Sequence, residues 1–257
     1  MIIAHNNDDI MRHPDAVDYW WRQSLGSDIL ASEIETIQTH LASSWGEWAM
    51  QVSTCPQLPE LTHGRIHGSY RLSATAMSSE CDITGDATQL PIEADTLQSL
   101  VLHHVLDFHR HPHQVLREAA RVVAPYGRLT LCNFNRFSPL ALKQAVFGFH
   151  GRHSLRRLLS QSQMKDWLHL IGFEVERVSY CGFNFPSRRW HSSDGHYARI
   201  MGQYLPKLGG IIVVTARKEK RPATLSRAGW RELSSRLQGS TEVGSARDIA
   251  RRERETH

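Results

Sequence analysis

Apolar residues at Ile29, Leu30, Ile34, Ile37 and Leu41 fall near helical spacing, and Ser27 is placed to cap that helix. The pattern then shortens. "WAMQVS" (48–53) is a compact apolar run that reads as a buried strand, and "SYRLSA" (69–74) alternates like a second. "CDITGDA" (81–87) ends a third strand at a Gly-Asp turn, and "LQSLVLH" (97–103) is a fourth. In "HPHQVLREAARVVAP", Pro112 suits a first helical turn. Val115, Leu116, Ala119, Val122 and Val123 form its inner stripe, and Pro125 stops it. "RLTLCNF" (128–134) is a fifth strand, after which Ser138-Pro139 opens a helix. Ser162 caps a further helix carrying Met164, Trp167, Leu168 and Ile171, which Gly172 ends. "FEVERVSY" (173–180) and "GGIIVVTARK" (209–218) add two strands. Strands alternating with helices predict an α/β protein built on a largely parallel, helix-covered sheet.

Composition adds little to that picture until charge is located. The 257 residues are 40% hydrophobic and 22% charged, as expected of a soluble globular protein. There is no apolar run long enough to span a membrane, and the N-terminus lacks the basic, then apolar, pattern of a signal peptide. Cys55, Cys81, Cys132 and Cys181 show no motif spacing, which predicts reduced thiols and a cytoplasmic location. The net charge of +4 is concentrated at one end. Residues 217–257 hold 11 Lys and Arg against 6 Asp and Glu, leaving 19 basic and 20 acidic residues elsewhere. A neutral body argues against a nucleic-acid-binding domain. The expected organisation is an N-terminal extension (1–18), one domain (19–220) and a flexible basic tail (221–257) open to a protein partner.

Five of the sixteen histidines fall in "HHVLDFHRHPH" (103–113). His103 and His104 are neighbours, so a continuing strand would turn them to opposite faces and keep them from one ion. His109 and His113 have helical spacing, but Pro112 interrupts it. With none of the paired ligand motifs of zinc sites, the expectation is no metal, with His109, His111 and His113 in solvent.

The stretch 85–135 carries a distinctive order of short signals. They are Gly85-Asp86-Ala87, Leu90-Pro91, Asp95, His104-Val105-Leu106, Leu116-Arg117-Glu118, Arg121-Val122 and Pro125-Tyr126-Gly127. This order resembles the central block of class I S-adenosylmethionine-dependent methyltransferases of the type 11 subgroup. Residues 19–220 as a whole resemble a proteobacterial branch of uncharacterised methyltransferase-like proteins. The resemblance implies a Rossmann-like sheet, mostly parallel with an antiparallel last strand and helices on both faces. It also implies S-adenosylmethionine as cofactor, held by Val52, Ser53 and Thr54 after the first strand and by Asp86, Ala87 and His103. His103 or His104, at the fourth strand's end, would serve as base or orienter, the other packing into the sheet side. A lid at 181–207 would offer Arg188, Arg189, Trp190, His191 and Tyr197 to a small-molecule substrate.

Two parts of the family's pattern are missing. No glycine stands between Gly46 and Gly64, where a glycine-rich loop should let backbone approach the cofactor. No acid ends "SYRLSA" to take the ribose hydroxyls. The expected function is therefore methyl transfer to a small molecule. The alternative is a catalytically degenerate relative that binds a protein partner through its lid or tail, with RNA or an anionic membrane as a weaker third case.

Overall fold

The computed structural model describes residue 21 and residues 24–74, 81–139, 141, 158–183 and 205–219. Helix α1 (Ser24–Leu41) precedes the strands β1 (Trp45–Ser53), β2 (Arg65–Ser73), β3 (Ile83–Thr84) and β4 (Leu97–His103). Helices α2 (Val105–Phe108) and α3 (Pro112–Val122) lead to β5 (Val123–Phe134). Helix α4 (Gln161–Leu170), β6 (Phe173–Cys181) and β7 (Ile211–Lys218) complete the order. One seven-stranded sheet runs β3-β2-β1-β4-β5-β7-β6. Its first five strands are mutually parallel, whereas β7 lies antiparallel between β5 and β6. The sheet expected from the resemblance is therefore the sheet observed. The chain divides into compact units Met1–Pro222 and Ala223–His257, and the second lies outside the described residues.

Alternation along β5 separates two layers. Cys132 and Phe134 face α1 in a core with Leu30, Ile37, Leu41, Val101 and Val213. Leu129 and Leu131 point to the other face, where α3 buries Val115, Leu116, Ala119 and Val122. Helix α4 joins that layer by bringing Trp167 against the His113 ring, with centroids 4.3 Å apart. His113 is thus packed against α4, not simply solvated. Lys218, at the end of β7, donates to Asp95 and to the carbonyls of Ala120 and Val123, placing a cation at the C-terminus of α3.

Several boundaries differ from the sequence reading. Position 27 lies inside helix α1, which is described from Ser24 onward. Pro125 does not stop α3: the helix ends at Val122 and β5 begins at once. The pairing with β4 shifts register between Leu97 and Ser99, and Tyr126 takes φ 64, so "PYG" is an irregularity within the strand. Helix α4 is capped by Ser160, not Ser162. Ser160 Oγ accepts from the Gln163 N–H while Gln163 Oε1 accepts from the Ser160 N–H. Gly172 follows that helix with φ 84, as its position predicts. Ser138 Oγ accepts from the Ala141 N–H, in keeping with the expected helix start.

Helix α1 is fixed by polar as well as apolar side chains. His40 binds Thr215 Oγ1 and Ser179 Oγ, both at 2.8 Å, and Thr215 in turn bonds Thr130. Burial, helped by Arg177, lowers the His40 pKa to about 4, and burial lowers His63 equally to about 4. Both are neutral when folded and protonate near pH 6.5 when unfolded. Their contribution is complete above that value and is lost as pH falls toward 4, by about 1.4 kcal/mol per pH unit per histidine at most. Urea unfolding from pH 7 to pH 5 should show this slope, and the His40→Gln/His63→Gln variant should flatten it. An unchanged slope in the double variant would place the titrating groups elsewhere.

Candidate functional site at the carboxyl edge of the sheet

In open α/β sheets, ligands bind beyond the carboxyl ends of the strands near the switch in strand order. Here that edge is formed by Ser53 of β1, Ser73 of β2, Thr84 of β3 and His103 of β4. Residues 75–80, which follow β2 and include Glu80, lie outside the described residues. Asp82 is engaged at the β2 edge, where its carboxylate accepts from the Arg71 N–H.

The turn after β3 presents Asp86 toward solvent, its side chain 59% exposed. Asp86 Oδ1 accepts from the Thr88 N–H at 2.8 Å, closing an Asx turn, and lies 3.4 Å from His109 Nε2. Burial would raise its carboxyl pKa, but Thr88 and His109 outweigh that effect and lower it. Ala87 is buried beside it. His109 was expected in solvent, yet its side chain is only 8% exposed because it folds back onto this turn.

The segment after β1 differs from a glycine-rich cradle. Val52, Ser53 and Thr54 are all buried. The Thr54 N–H donates to the His103 carbonyl and the Cys55 N–H donates to Ser53 Oγ. The Gln51 side chain pins the following loop, donating to the Pro59 carbonyl and accepting from the Leu61 N–H. The Thr54 and Cys55 N–H groups that directly follow β1 are thus already paired. An S-adenosylmethionine-like ligand would find an exposed acceptor in Asp86, whereas the β1 side, as arranged here, offers it no glycine-rich cradle. A separate cavity of about 310 Å³ lies at the amino end of β2, lined in part by Glu60, His63 and His67. It is at the opposite end of the strands from Asp86.

His103 and His104 do not diverge. β4 ends at His103, and His104 adopts φ 55 and ψ 13, a left-handed conformation that breaks strand alternation. The two imidazoles meet at right angles with centroids 4.6 Å apart, under Trp21. His103 Nε2 lies 3.0 Å from Glu33 Oε2 and His104 Nε2 lies 2.9 Å from Glu33 Oε1. On the outer side, His103 Nδ1 bonds Ser53 Oγ at 2.9 Å, and His104 Nδ1 donates to Asp107 Oδ2 at 2.7 Å. Asp107 Oδ2 also accepts from the Phe134 N–H, and Cys132 Sγ lies 3.8 Å from His104 Nε2. Glu33, His103, His104 and Asp107 are completely buried, and the ring nitrogens of both histidines are engaged.

Burial alone would raise Glu33, but the charge of His104 and hydrogen bonds from both imidazoles hold its pKa down at about 2. Burial alone would lower His104; Glu33 and Asp107 carry it up to about 9. Burial lowers His103 against the pull of Glu33, and it raises Asp107 against the pull of His104. The result is a Glu33 carboxylate facing a His104 imidazolium and a neutral His103. The sequence reading missed Glu33, although one signal was present: a charge between Leu30 and Ile37 on the apolar stripe of α1. The substrate candidates Arg188, Arg189, Trp190, His191 and Tyr197 lie outside the described residues.

Strand order, antiparallel β7 and the acidic turn after β3 define a class I methyltransferase-like α/β domain. Comparison with known proteins agrees with that fold: residues 66–131 match the methyltransferase domain family. The match begins in β2, beyond the altered β1 loop. The chain is 28% identical over 159 residues to the uncharacterized protein YafS of Escherichia coli K12, covering 62% of this chain and 63% of that protein. It is 32% identical over 81 residues to the ubiquinone/menaquinone biosynthesis C-methyltransferase UbiE of Roseobacter denitrificans, covering 31% of this chain and 32% of that enzyme. A Thermotoga maritima structure described as a SAM-dependent methyltransferase, possible histamine N-methyltransferase, superposes with TM-score 0.59 at 14% identity. That superposition covers 82% of this chain and 98% of the other. A chain from a structure described as a complex between the Haloferax volcanii Trm112 methyltransferase activator and the putative methyltransferase gives TM-score 0.56, with the same identity and coverage. Among the described residues, no helix is long and apolar enough to cross a membrane.

Proposed function

We propose that this protein is an S-adenosylmethionine-dependent methyltransferase acting on a small molecule. The observation that carries the reading is the Asp86–Ala87 turn, placed by the sheet's order at the carboxyl end of β3 with its carboxylate open to a ligand. The donor would supply an activated methyl group. Asp86 would accept a hydrogen bond from its adenine amino group, and the adjoining backbone would meet the ring. His103 and His104 support this edge by anchoring α1, since both rings are committed to internal partners. With the β1 donors already paired, affinity should be weak, in the range of about tens of micromolar or poorer.

A second reading is favoured by that same closed β1 segment: a methyltransferase-like protein that keeps the fold and binds a protein partner instead. Calorimetric titration of the full chain with S-adenosylmethionine and S-adenosylhomocysteine separates the two. Saturable heat with about one ligand per chain supports the enzyme. Absence of heat at millimolar donor leaves the binding protein.

A further inference from the structure

Five side chains from four segments converge under Trp21 at the carboxyl ends of β4 and β5. Glu33 comes from α1, His103 and His104 from the end of β4, Asp107 from α2 and Cys132 from β5. A Glu33 oxygen, the ligand nitrogens of both histidines and Cys132 Sγ all lie within 4.8 Å of one another, and all four residues are buried. The Nε2–oxygen spacings, 3.0 Å from His103 to Oε2 and 2.9 Å from His104 to Oε1, and the sulfur–nitrogen spacing of 3.8 Å bracket the edge lengths of a small coordination tetrahedron in which Glu33 would supply one of its two oxygens. Zinc–nitrogen bonds of about 2.0–2.1 Å and a zinc–sulfur bond of about 2.3 Å give such edges, roughly 3.3–3.6 Å long.

The rings are oriented as ligands. Each imidazole turns Nε2 inward and ties Nδ1 to an outer partner, His104 to the Asp107 carboxylate and His103 to the Ser53 hydroxyl. Metal-bound histidines make such outer hydrogen bonds, which fix the tautomer and aim the other nitrogen. His104 Nδ1 carries its proton toward Asp107. In a neutral ring, Nε2 would then point a lone pair at a Glu33 oxygen 2.9 Å away. Something positive must stand there, either a proton or a metal ion. The proton alone accounts for the Glu33–His104 contact and leaves Cys132 as a core residue whose sulfur, a weak donor and acceptor, happens to face the cluster. A metal ion uses all four groups.

We propose that Glu33, His103, His104 and Cys132 form a closed four-coordinate site for a divalent transition-metal ion, zinc by its donor set. Two imidazoles, one thiolate and one carboxylate suit tetrahedral zinc, whereas magnesium and calcium select oxygen ligands. On loading, the Cys132 thiol proton and the proton at His104 Nε2 leave to solvent, and the single ring proton of His103 moves from Nε2 to Nδ1, where Ser53 Oγ accepts it. The thiolate and the Glu33 carboxylate then balance the two charges of the ion, so the four ligands and the metal together are neutral, with Asp107 held outside them by His104 Nδ1. No protein ligand is exposed and no position is left open to a substrate, so the site is structural and ties α1 to β4 and β5. It holds its ion whether or not the methyl donor binds, and so stands apart from the function proposed above.

The test is cobalt substitution of the full, untagged chain, purified without nickel columns, alongside elemental analysis of protein grown with zinc. Expected are about one zinc per chain and, after exchange, one cobalt. That cobalt should show the visible bands of a tetrahedral ion and a thiolate charge-transfer band in the near ultraviolet. Cys132→Ser should lose the charge-transfer band, and His109→Ala, outside the cluster, should change neither spectrum nor stoichiometry. Because the band is read on wild type, the result does not depend on a variant folding. Less than about a tenth of an equivalent of either metal in folded wild-type protein would overturn the site. So would stoichiometric cobalt without a thiolate band, or with a band that survives Cys132→Ser.

Discussion

Glu33→Ala is expected to cost the folded state about 3–5 kcal/mol, the range for removing one partner of a buried ion pair. Glu33 has no solvent exposure and is the anion that both Nε2 atoms face, so its loss leaves both Nε2 atoms without an anion under Trp21, with Asp107 alone still on His104. For a domain of this size that corresponds to a fall in Tm of roughly 6–20 °C. Glu33→Gln keeps the volume and one acceptor and should lose about half as much. Unfolding curves of the three proteins, recorded with a chelator present, read the ion pairs without any bound metal. A loss below about 1 kcal/mol for Glu33→Ala would mean that α1 does not seat this carboxylate between the imidazoles.

Donor affinity should fall about ten- to a hundredfold in Asp86→Ala, if the turn after β3 receives the adenine as proposed. The figure follows from a hydrogen bond to a charged acceptor, which contributes roughly 1.5–3 kcal/mol. Asp86 already closes its Asx turn with Thr88, so the alanine variant also loosens the backbone that would face the ring. Asp86→Asn retains an acceptor for Thr88 and should lose less. Calorimetry on each variant, with circular dichroism to confirm folding, reads the difference. Wild-type binding that is undisturbed by Asp86→Ala would put the donor at another place on the edge.

The order of elements was legible because it rests on local patterns. Alternation and short apolar runs marked the strands, and Pro112 with its apolar stripe marked α3. Gly85-Asp86-Ala87 announced the turn after β3. Missing glycines also foretold the altered β1 segment. Where a boundary slipped, the cause was local chemistry with two solutions, as when Ser160 rather than Ser162 had Gln163 three residues on to complete its cap.

The histidine pair was not legible in that way. Opposite faces for His103 and His104 follow only if the strand continues through both, and it stops at the first. The left-handed backbone at His104 is costly for a residue with a Cβ. No local signal requires it. It is sustained from a distance, by the His104 N–H bonded to the Cys132 carbonyl and by the ring held between Asp107 and Glu33. Glu33 lies 71 positions earlier in the chain. The sequence by itself determined the strands, the helices and the acidic turn, because neighbours along the chain decide those. The tertiary structure alone decided which side chains share the buried centre, because Glu33, the histidine pair and Cys132 are brought together by packing between elements far apart in the chain.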